Sequence, residues 1–393
     1  MLIEFTEEQL MLAETIRNFA EKEVAPIAEE IDRHEKFPME NFRKLGELGV
    51  LGITVPPEYG GAGSGYVEMG IVAEELSRVC VSTGASYAAH ADLCVDNLRR
   101  NGSEVQNQKY LPSLCSGEKI GGLAMTEPSA GSDVLSMRLR ADKNGHRYIL
   151  NGTKTFITNG PVGDIFVIYA KTDMEKGPLG VTAFIIEKEF PGFSAGKKFE
   201  KMGWRGSATG ELVFDNCHVP QGNVLGEVGG GANVLMSGLN TERIIIGATC
   251  VGLSKGALEL ALKYSKERVQ FGKPISSFQL IQGKLADMAM EVEISRIITY
   301  HALKFSDNVL HGPALNKDSR TLMSKMNLLA SYVKLYTSEV SIRVTNEALQ
   351  IFGGYGYIRE FSIERMVRDA RLMTIGGGTS EIQRLIIARE ILK

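Results

Sequence analysis

The sequence predicts an α+β protein of three domains, in which a small antiparallel β-barrel lies between two helical domains. Apolar residues recur at helical spacing from residue 6 to about 120, and this period returns after residue 231. Between the two regions, short β-type runs alternate with turns rich in Gly, Asn and Asp. With 393 residues the chain is long enough for two or three domains. We expect an N-terminal helical domain at 1–120, a β-barrel at 121–230 and a C-terminal four-helix bundle at 231–393.

The N-terminal region begins with the pattern of a helix start. Thr6 and Gln9 have the spacing of a capping box, and the apolar residues that follow lie on one helical face. A segment rich in Pro and Gly, residues 56–65, then separates two helical groups.

The middle and C-terminal regions differ in their period. Asn151-Gly152 follows an apolar run and predicts a hairpin turn. Further β-type runs at 165–169 and 181–186 are bounded by turn residues, and this density of short strands is typical of a small barrel. After residue 231, four long helical segments fit into the rest of the chain, which predicts a bundle.

Composition limits the possible functions. The 44 Lys and Arg residues nearly balance the 47 Asp and Glu residues, so the net charge of −3 indicates neither nucleic acid nor an anionic membrane as a partner. The five cysteines lie far apart with no CxxC pair, which is typical of reduced intracellular thiols. We expect no disulfide and no metal site.

The N-terminus carries no pattern of an export or transit sequence. It lacks a basic region followed by an apolar run, and we expect no segment that approaches the ~18 apolar residues of a membrane span. These observations favour a cytoplasmic bacterial protein, and a mitochondrial matrix protein after processing is the alternative.

Two motifs combine glycine with hydroxyl-bearing residues. They are Ala124-Met125-Thr126-Glu127-Pro128-Ser129-Ala130-Gly131-Ser132-Asp133 and Gln350-Ile351-Phe352-Gly353-Gly354-Tyr355-Gly356-Tyr357. Residues of this kind let backbone N–H groups approach a planar heterocycle or a phosphate. Taken alone, the first motif is equally consistent with a turn between two elements, and the second with the end of a helix.

Taken together, the two motifs resemble the signature patterns of the acyl-CoA dehydrogenase family. Their order agrees with the family, and so do two segments between them, Phe156-Ile157-Thr158-Asn159-Gly160 and Arg268-Val269-Gln270-Phe271-Gly272. The resemblance spans essentially the whole chain and is strongest to the isovaleryl-type branch. It implies the helix–β–helix fold, one FAD per subunit of a homotetramer, an acyl-CoA substrate, and an electron-transfer flavoprotein as the electron acceptor.

The resemblance also implies which residues contact FAD. Met125 and Thr126 would meet the flavin ring, and Phe156 and Thr158 would cover its other edge. Near the phosphates of flavin and CoA would lie Gly131 and Ser132. The FAD of a neighbouring subunit would be bound by Arg268, Gln279, Gln350, Gly353 and Gly354, and the site would be completed by Thr379 and Glu381. Phe271 is a further cofactor-binding candidate. Without the surrounding motif, Arg268 would be a solvated arginine at a helix end.

The reaction implied by the resemblance removes a proton from Cα and a hydride from Cβ of an acyl-CoA. Most of the family would place the glutamate base at Gly377, and glycine cannot take a proton. The other position that the family uses is Glu242, and we predict that Glu242 is the base. Gly377 would supply a backbone N–H to the thioester oxygen and leave space for a branched or cyclic acyl group. The substrate-binding candidates are Ser132, Asn240, Arg243, Gly377 and Gly378.

Two acidic residues keep alternatives open. Glu242 would otherwise be a surface glutamate paired with Arg243 or Arg268. Asp92 stands where the isovaleryl-type branch has a neutral residue, and it is either a helix cap or ion-pair partner, or a group that faces the acyl pocket. In the second case Asp92 would contact a polar or cyclic acyl group, or act as a second base on an unsaturated ring. For the nearby His90, a packed and hydrogen-bonded histidine is favoured over a catalyst.

The sequence thus supports three functional hypotheses. The first is FAD-dependent α,β-dehydrogenation of a short branched-chain acyl-CoA, with Glu242 as the base. The second is dehydrogenation of an alicyclic acyl-CoA, such as cyclohexane- or cyclohexene-carboxyl-CoA, with Asp92 as a base or substrate contact. The third is a flavin-binding homologue without dehydrogenase activity, which the missing glutamate at Gly377 keeps open.

Overall fold

The computed structural model describes residues 3–310 and 319–393. The N-terminal region is helical, as predicted, and a π-helical segment, Ala89–Asp96, joins two of its helices. Thr6 begins the first helix with the predicted capping box, in which its hydroxyl accepts from the backbone N–H of Gln9. The helices are α1 (Glu7–Phe19), α2 (Ala28–His34), α3 (Met39–Glu47), α4 (Tyr66–Val79), α5 (Val81–Ala88), α6 (Asn97–Asn101) and α7 (Glu104–Cys115).

The middle region forms one sheet. Its strands are β1 (Gly121–Ala124), β2 (Arg140–Asn144), β3 (Arg147–Thr158), β4 (Ile165–Lys171), β5 (Val181–Glu187), β6 (Phe193–Lys198), β7 (Thr209–Pro220) and β8 (Val224–Leu225). The strand order is β6-β7-β3-β2-β4-β5-β8, and β1 lies beside β4. Most pairings are antiparallel, as predicted. The pairs β1–β4 and β2–β4 are parallel, which the sequence did not indicate.

Asn151-Gly152 forms no hairpin turn, contrary to the prediction. Strand β3 continues through both residues, and its register to β7 shifts between Leu150 and Gly152. Gly152 has a φ of 141°, which side-chain-bearing residues rarely adopt, so the pair forms a bulge within the strand. The turn between β2 and β3 lies instead at Gly145.

The C-terminal region is helical again. It consists of α8 (Gly231–Glu267), a ribbon of β9 (Val269–Gln270) and β10 (Lys273–Pro274), α9 (Gln279–Leu310), α10 (Ser319–Phe352), α11 (Ile363–Met373) and α12 (Ser380–Ile391). Where a fourth long helix was predicted, the described residues contain the two short helices α11 and α12. The residues between them include Gly377 and Gly378, whose φ values of 64° and 86° interrupt a helix.

Helix α8 lies at the junction of the three regions. It packs against α4, α9 and α10, and Gly231 at its start approaches the backbone of β5. By length and composition α8 is apolar enough to cross a membrane, so the expectation that no segment approaches such a length was too strong. However, 72% of its most apolar window is buried inside the protein, which is typical of a core helix.

Candidate active site

The loop between α11 and α12 faces the first part of α8. A Cβ at Gly377 would clash with Cδ1 of Ile246 and would lie 3.7 Å from Oε1 of Glu242. The loop is held by Gln383, whose side-chain amide donates to the carbonyls of Gly377 (3.2 Å) and Gly378 (3.1 Å). Two residues 135 positions apart, which the sequence singled out separately, are therefore neighbours in the structure.

Glu242 is a buried residue of α8, only 8% exposed, rather than a surface glutamate. Its Oε2 has no hydrogen-bond partner in the part of the chain that the structure describes. Burial raises the pKa of Glu242 to about 7, and the positive charges of Arg243 and Lys334 oppose this shift. A carboxyl group with these surroundings can accept a proton near neutral pH.

Arg243 is engaged away from Glu242. Its Nη1 donates to the side-chain oxygens of Asn240 (3.2 Å) and of Asn327 on α10 (3.1 Å). Asn240 and Arg243 are both buried, so these substrate-binding candidates lie within the protein next to Glu242. The alternative of a surface ion pair between Glu242 and Arg243 does not agree with this arrangement.

Asp92 lies in the π-helical segment and is only 2% exposed. Its Oδ1 lacks a hydrogen-bond partner among the described residues, and none of them forms an ion pair with it. Burial and the nearby Asp96 raise the pKa of Asp92 well above its usual range, while Arg100 and a hydrogen bond from Thr241 oppose the shift. Thr241 immediately precedes Glu242, so the Asp92 carboxyl meets α8 beside the candidate base. Within residues 3–310 and 319–393 it is neither a helix cap nor an ion-pair partner.

Asp96, one turn further on, is the acidic residue of this segment that is fully paired. It accepts hydrogen bonds from the side chains of Thr54, Tyr66, Arg99 and Arg100. These partners hold the pKa of Asp96 at about 2 despite its burial. The π-helical segment thus carries one carboxylate with a structural role, that of Asp96, and a second, that of Asp92, with an oxygen that has no hydrogen-bond partner among the described residues.

The segment after β1, which contains Met125 and Thr126, is tied to β3 by a buried lysine. Nζ of Lys154 donates to the carbonyl of Met125 (3.0 Å) and to Oε1 of Glu127 (2.8 Å). Glu127 also accepts from the backbone N–H groups of Arg138 and Leu139. The carbonyl of Thr126 accepts from the backbone N–H of Thr155 at 2.9 Å. These contacts fix the backbone at the position where the flavin ring is expected.

Phe156 projects from an irregular part of β3. Its φ of 58° is unusual for a bulky residue, and the register to β7 shifts between Lys154 and Ile157. The ring is 67% exposed and lies 5.2 Å from that of Phe199, and Thr158 is half-buried at the end of the strand. Gly131 and Ser132 are exposed, and nothing lies within 4 Å of a Cβ at Gly131. An exposed aromatic ring suits contact with the planar ring system of FAD, and open backbone at Gly131 suits contact with its phosphates.

The other cofactor candidates lie elsewhere on the surface of the protein. Arg268 stacks over the ring of Tyr355 at 5.2 Å, and both line a cavity of about 510 Å³ together with Gly353 and Gly354. The remaining side chains of this group, those of Phe271, Gln279 and Gln350, are exposed. Arg268 lies 26 residues after Glu242 and directly follows the end of α8, so a rise of about 1.5 Å per residue separates the two by about 39 Å.

Thr379 and Glu381 lie at the start of α12. The hydroxyl of Thr379 accepts from the backbone N–H of Ile382 and caps the helix. Both residues line a second cavity of about 350 Å³ with residues of α10 and α11. Thr379 and Glu381 are therefore close to Gly377 and Gly378 in the chain, but they line a different cavity from Arg268, Gly353 and Gly354.

His90 is a packed residue, as the sequence favoured. One ring nitrogen lies 3.1 Å from the carbonyl of Leu114, and Nδ1 accepts from the backbone N–H of Gly121. Burial lowers the pKa of His90 to about 4. The neutral ring thus joins the π-helical segment to the start of β1.

Sequence reasoning missed two buried lysines near the site, Lys154 and Lys334. Both side chains are inaccessible to solvent. A detectable sign existed in each case, because each lysine interrupts a run that is otherwise apolar or small, at Thr153-Lys154-Thr155-Phe156 and at Tyr332-Val333-Lys334-Leu335. Charged residues in such runs are rarely buried without a role.

Three family models match consecutive parts of the chain. They describe the acyl-CoA dehydrogenase N-terminal domain (residues 6–118), middle domain (122–217) and C-terminal domain (229–392). The mitochondrial isovaleryl-CoA dehydrogenase of Solanum tuberosum is 48% identical over 391 residues, which cover 99% of this chain and 92% of the relative. An acyl-CoA dehydrogenase of Bacillus subtilis (strain 168) is 42% identical over 387 residues, 98% of both chains.

Solved structures agree with these matches. Butyryl-CoA dehydrogenase from Megasphaera elsdenii has a TM-score of 0.93 at 38% identity, over 100% of both chains. An acyl-CoA dehydrogenase from Bacillus anthracis complexed with FAD has a TM-score of 0.92 at 36% identity, over 99% of this chain and 67% of the other. A chain in a structure of the electron transferring flavoprotein of Acidaminococcus fermentans has a TM-score of 0.94 at 40% identity, over 100% and 99% of the two chains.

The fold and these matches define an FAD-dependent oxidoreductase that acts on acyl-CoA. The chain belongs to the acyl-CoA dehydrogenase family. The predicted fold class and cofactor are confirmed, and a homologue without dehydrogenase activity is no longer supported.

Proposed function

We propose that this acyl-CoA dehydrogenase oxidises a short branched-chain acyl-CoA of the isovaleryl type, with Glu242 as the base that removes the α-proton. One observation carries the choice of base: the Glu242 carboxyl is buried beside Gly377 and has an oxygen without a partner among the described residues. The choice of acyl group is supported by the 48% identity to an isovaleryl-CoA dehydrogenase.

When bound, FAD supplies the acceptor for the hydride that leaves Cβ. The proton on Cα moves to a carboxylate oxygen of Glu242, and the electron pair of that C–H bond becomes part of the Cα=Cβ double bond. Burial favours this transfer, because it converts a charged carboxylate into a neutral acid. A pKa of about 7 makes Glu242 a stronger base than an exposed glutamate and leaves a substantial ionised fraction at neutral pH.

The thioester is oriented by backbone in this proposal. The N–H of Gly377 donates to the thioester oxygen, where negative charge develops as the proton leaves. Gln383 supports this role, because its two hydrogen bonds fix the carbonyls of Gly377 and Gly378 and so the orientation of the loop. Asn240, Arg243, Gly378 and Ser132 are the further substrate contacts.

The missing side chain at Gly377 is the basis for a branched substrate. A Cβ there would point at Ile246 and toward Glu242, so glycine leaves this volume to the acyl group. A methyl branch at Cβ of the substrate requires such space close to the base. A straight chain does not need it, which is the reason for preferring the branched class.

In this proposal the cofactor is bound by residues of the middle region and by residues at the start of α12. Met125, Thr126, Phe156 and Thr158 contact the flavin ring, and Gly131 and Ser132 lie near its phosphates. Thr379 and Glu381 complete the same site.

A second subunit provides the adenosine end of the site. The separation of about 39 Å along α8 between Glu242 and Arg268 supports assigning the Arg268 group to the FAD of a neighbouring subunit. That group comprises Arg268, Phe271, Gln279, Gln350, Gly353 and Gly354. We propose a homotetramer on this ground.

A second candidate substrate is an alicyclic acyl-CoA. It is favoured by the buried, uncommitted carboxyl of Asp92, which adjoins Thr241 next to the base. A cyclohexane- or cyclohexene-carboxyl group would extend toward Asp92, which would contact the ring or take a proton from a carbon beyond Cα. Glu242 would take the proton from Cα of a cyclohexane-carboxyl group. Cyclohex-1-ene-carboxyl-CoA carries no hydrogen on Cα, so with that thioester Asp92 would be the base.

The electron acceptor in this proposal is an electron-transfer flavoprotein. It is supported by the likeness to a chain in a structure of such a flavoprotein from Acidaminococcus fermentans. The match to a Bacillus subtilis relative supports a bacterial cytoplasmic protein, whereas the plant relatives are mitochondrial.

The experiment is anaerobic reduction of the purified holoenzyme by a panel of thioesters, followed by flavin absorbance. The panel contains isovaleryl-CoA, butyryl-CoA, cyclohexane-carboxyl-CoA and cyclohex-1-ene-carboxyl-CoA. We expect the fastest bleaching with isovaleryl-CoA. Bleaching by the cyclic thioesters alone would replace the first candidate with the second, and bleaching by butyryl-CoA alone would contradict both.

A further inference from the structure

Lys334 of α10 is a buried lysine that the proposed reaction leaves without a role. Its side chain is inaccessible to solvent, and its Nζ has no hydrogen-bond partner within residues 3–310 and 319–393. Burying an ammonium group without a partner costs free energy. We therefore expect a buried lysine either to have a function that needs its charge or to lose its proton.

Helices α8 and α10 pack side by side, and the residues that meet are about ninety positions apart in the chain. Arg243 donates to Asn327, and a Cβ at Gly247 would clash with Val333 and lie 3.6 Å from Oγ1 of Thr337. The contacts advance in the same direction along both helices, so the two helices run parallel.

This offset brings Lys334 next to one stripe of α8. Glu242, Ile246 and Cys250 are spaced four residues apart and share a helical face. Cys250 interacts with Thr337 and Ser341, which occupy the same face of α10 as Lys334. Lys334 therefore lies on α10 one turn before the partners of Cys250.

We infer from helix geometry that the side chain of Lys334 extends toward the base. Side chains on a helix tilt toward its N-terminus, and the N-terminal direction of α10 is the direction of Asn327 and Arg243. The backbone of Lys334 lies about one helical turn beyond the point of α10 that is opposite Glu242. Its side chain, tilted toward the N-terminus of α10, therefore extends toward the Glu242 carboxyl group. Burial lowers the pKa of Lys334 to about 8, and interactions with Cys250 and Glu242 oppose this shift. In turn, the charge of Lys334 opposes the rise that burial causes in the pKa of Glu242.

Other titratable or charged groups face the pair from several neighbouring elements. Glu242 is faced by Arg243 on α8, Asp92 in the π-helical segment and Tyr169 on β4, and Lys334 is faced by Cys250, Arg243 and Glu381. Of the two cations, Arg243 is engaged with Asn240 and Asn327, whereas Lys334 has no partner among the described residues.

We propose that Lys334 is a positioning residue for proton abstraction: its unpaired ammonium, buried in the contact between α8 and α10, keeps the Glu242 carboxyl ionised and ready to accept the α-proton. This inference rests on the proposed role of Glu242 as the base. Lys334 takes no proton from the substrate and does not contact it. It sets the pH at which the base becomes available.

The test compares Lys334→Met, Lys334→Arg and Thr337→Val. Methionine fills a similar volume without charge, arginine keeps the charge, and Thr337→Val changes the next turn of the same face without altering charge. The first measurement is the pH profile of kcat/KM. The second is exchange of the α-hydrogens of a 3-thia-acyl-CoA with D₂O, which follows proton removal alone because the sulfur carries no hydride to transfer.

In both measurements we expect the acid limb of Lys334→Met to move about one unit toward higher pH, as loss of one nearby charge predicts. Lys334→Arg should restore the limb and Thr337→Val should leave it unchanged. An unmoved limb in folded, FAD-loaded Lys334→Met would overturn the proposal. Should that variant not fold, Lys334→Gln gives the same comparison with a polar, uncharged head group.

The outcomes separate this inference from the function on which it rests. If Glu242→Gln retains turnover and α-hydrogen exchange, the role of the base is wrong. If Glu242→Gln loses both while Lys334→Met keeps the normal pH profile, only the role of Lys334 is wrong.

Discussion

A Cβ at Gly377 would lie 3.7 Å from Oε1 of Glu242, so the residue that lacks a side chain and the residue that offers a carboxylate face the same space. The two positions are 135 residues apart in the chain, one on α8 and the other in the loop between α11 and α12. A carboxylate supplied from α8 reaches the place that a side chain at 377 would otherwise occupy. The absence of a glutamate at position 377 and the presence of a buried glutamate at position 242 therefore concern the same site.

Replacing Glu242 with glutamine should leave FAD bound and lower kcat by about 10²–10⁴-fold, because an amide cannot accept the α-proton. Steady-state turnover and the flavin spectrum would be measured together. Glu267→Gln, an exposed position near the end of the same helix, is the matched control and should behave as the wild type. Turnover within a few-fold of the wild type in Glu242→Gln would remove the residue from the mechanism.

The same substitution should change stability with pH. The pKa of Glu242 is raised in the fold from 4.5 to about 7, so the folded state binds a proton more tightly than the unfolded state. The wild type therefore loses stability as pH rises from about 4.5 through 7, by on the order of 3 kcal/mol in total. Glutamine has no such cost, and Glu242→Gln should be the more stable protein at pH 8 but not at pH 4. Denaturation at both pH values measures this, and parallel pH profiles would contradict it.

Adding a side chain at Gly377 should shift the substrate preference toward straight acyl chains. Gly377→Glu places its side chain between Ile246 and Glu242, and the φ of 64° adds strain of roughly 1–2 kcal/mol. Gly377→Ala carries the same strain with a Cβ alone, so comparing the two separates strain from loss of space. The ratio of kcat/KM for butyryl-CoA to that for isovaleryl-CoA should rise in both, and more in Gly377→Glu. An unchanged ratio would count against the space argument.

Asp92→Asn should preserve removal of the α-proton, because Glu242 is the base at Cα in both candidate functions. The measurement is hydrogen exchange with D₂O at Cα of cyclohexane-carboxyl-CoA, alongside exchange at the ring carbons of cyclohex-1-ene-carboxyl-CoA, which has no hydrogen on Cα. If the alicyclic candidate holds, the ring exchange should disappear in Asp92→Asn while exchange at Cα persists. Loss of exchange at Cα would transfer the role of the base to Asp92.

His90 should make the fold sensitive to mild acid. Its pKa is lowered to about 4 in the fold, so between about pH 6.5 and 4 the unfolded state binds a proton that the folded state does not. Stability should therefore fall across this window by on the order of 3 kcal/mol. In His90→Gln this slope should be reduced, whereas the exposed His34→Gln should keep it. An equal slope in all three proteins would show that other groups cause the acid sensitivity.

Much of the fold and part of the site could be predicted from the sequence, because helical period, strand length and motif order are local properties of the chain. Two of the features that differed depend on local geometry that composition does not reveal. Asn151-Gly152 has the residues of a turn, yet β7 pairs on both sides of it and draws it into a strand. The last helical segment is periodic throughout, yet Gly377 and Gly378 adopt left-handed backbone and divide it.

The electrostatics of the site could not be predicted, because they depend on residues that are distant in the chain. Asp92 is uncommitted only because Asp96 already takes the neighbouring arginines. Lys334 lies near Glu242 only because two helices pack with an offset of about ninety residues. No pattern within a short window contains this information.

The length of α8 has a consequence for mixtures of altered chains. If Glu242 serves the site of its own subunit and Arg268 that of a neighbour, a defect at each position damages a different half of a shared site. In an oligomer that combines a chain defective at Glu242 with one defective at Arg268, some sites receive both defects and others receive neither. Two inactive proteins would thus regain activity by co-assembly, because a single helix would position residues of two separate catalytic sites.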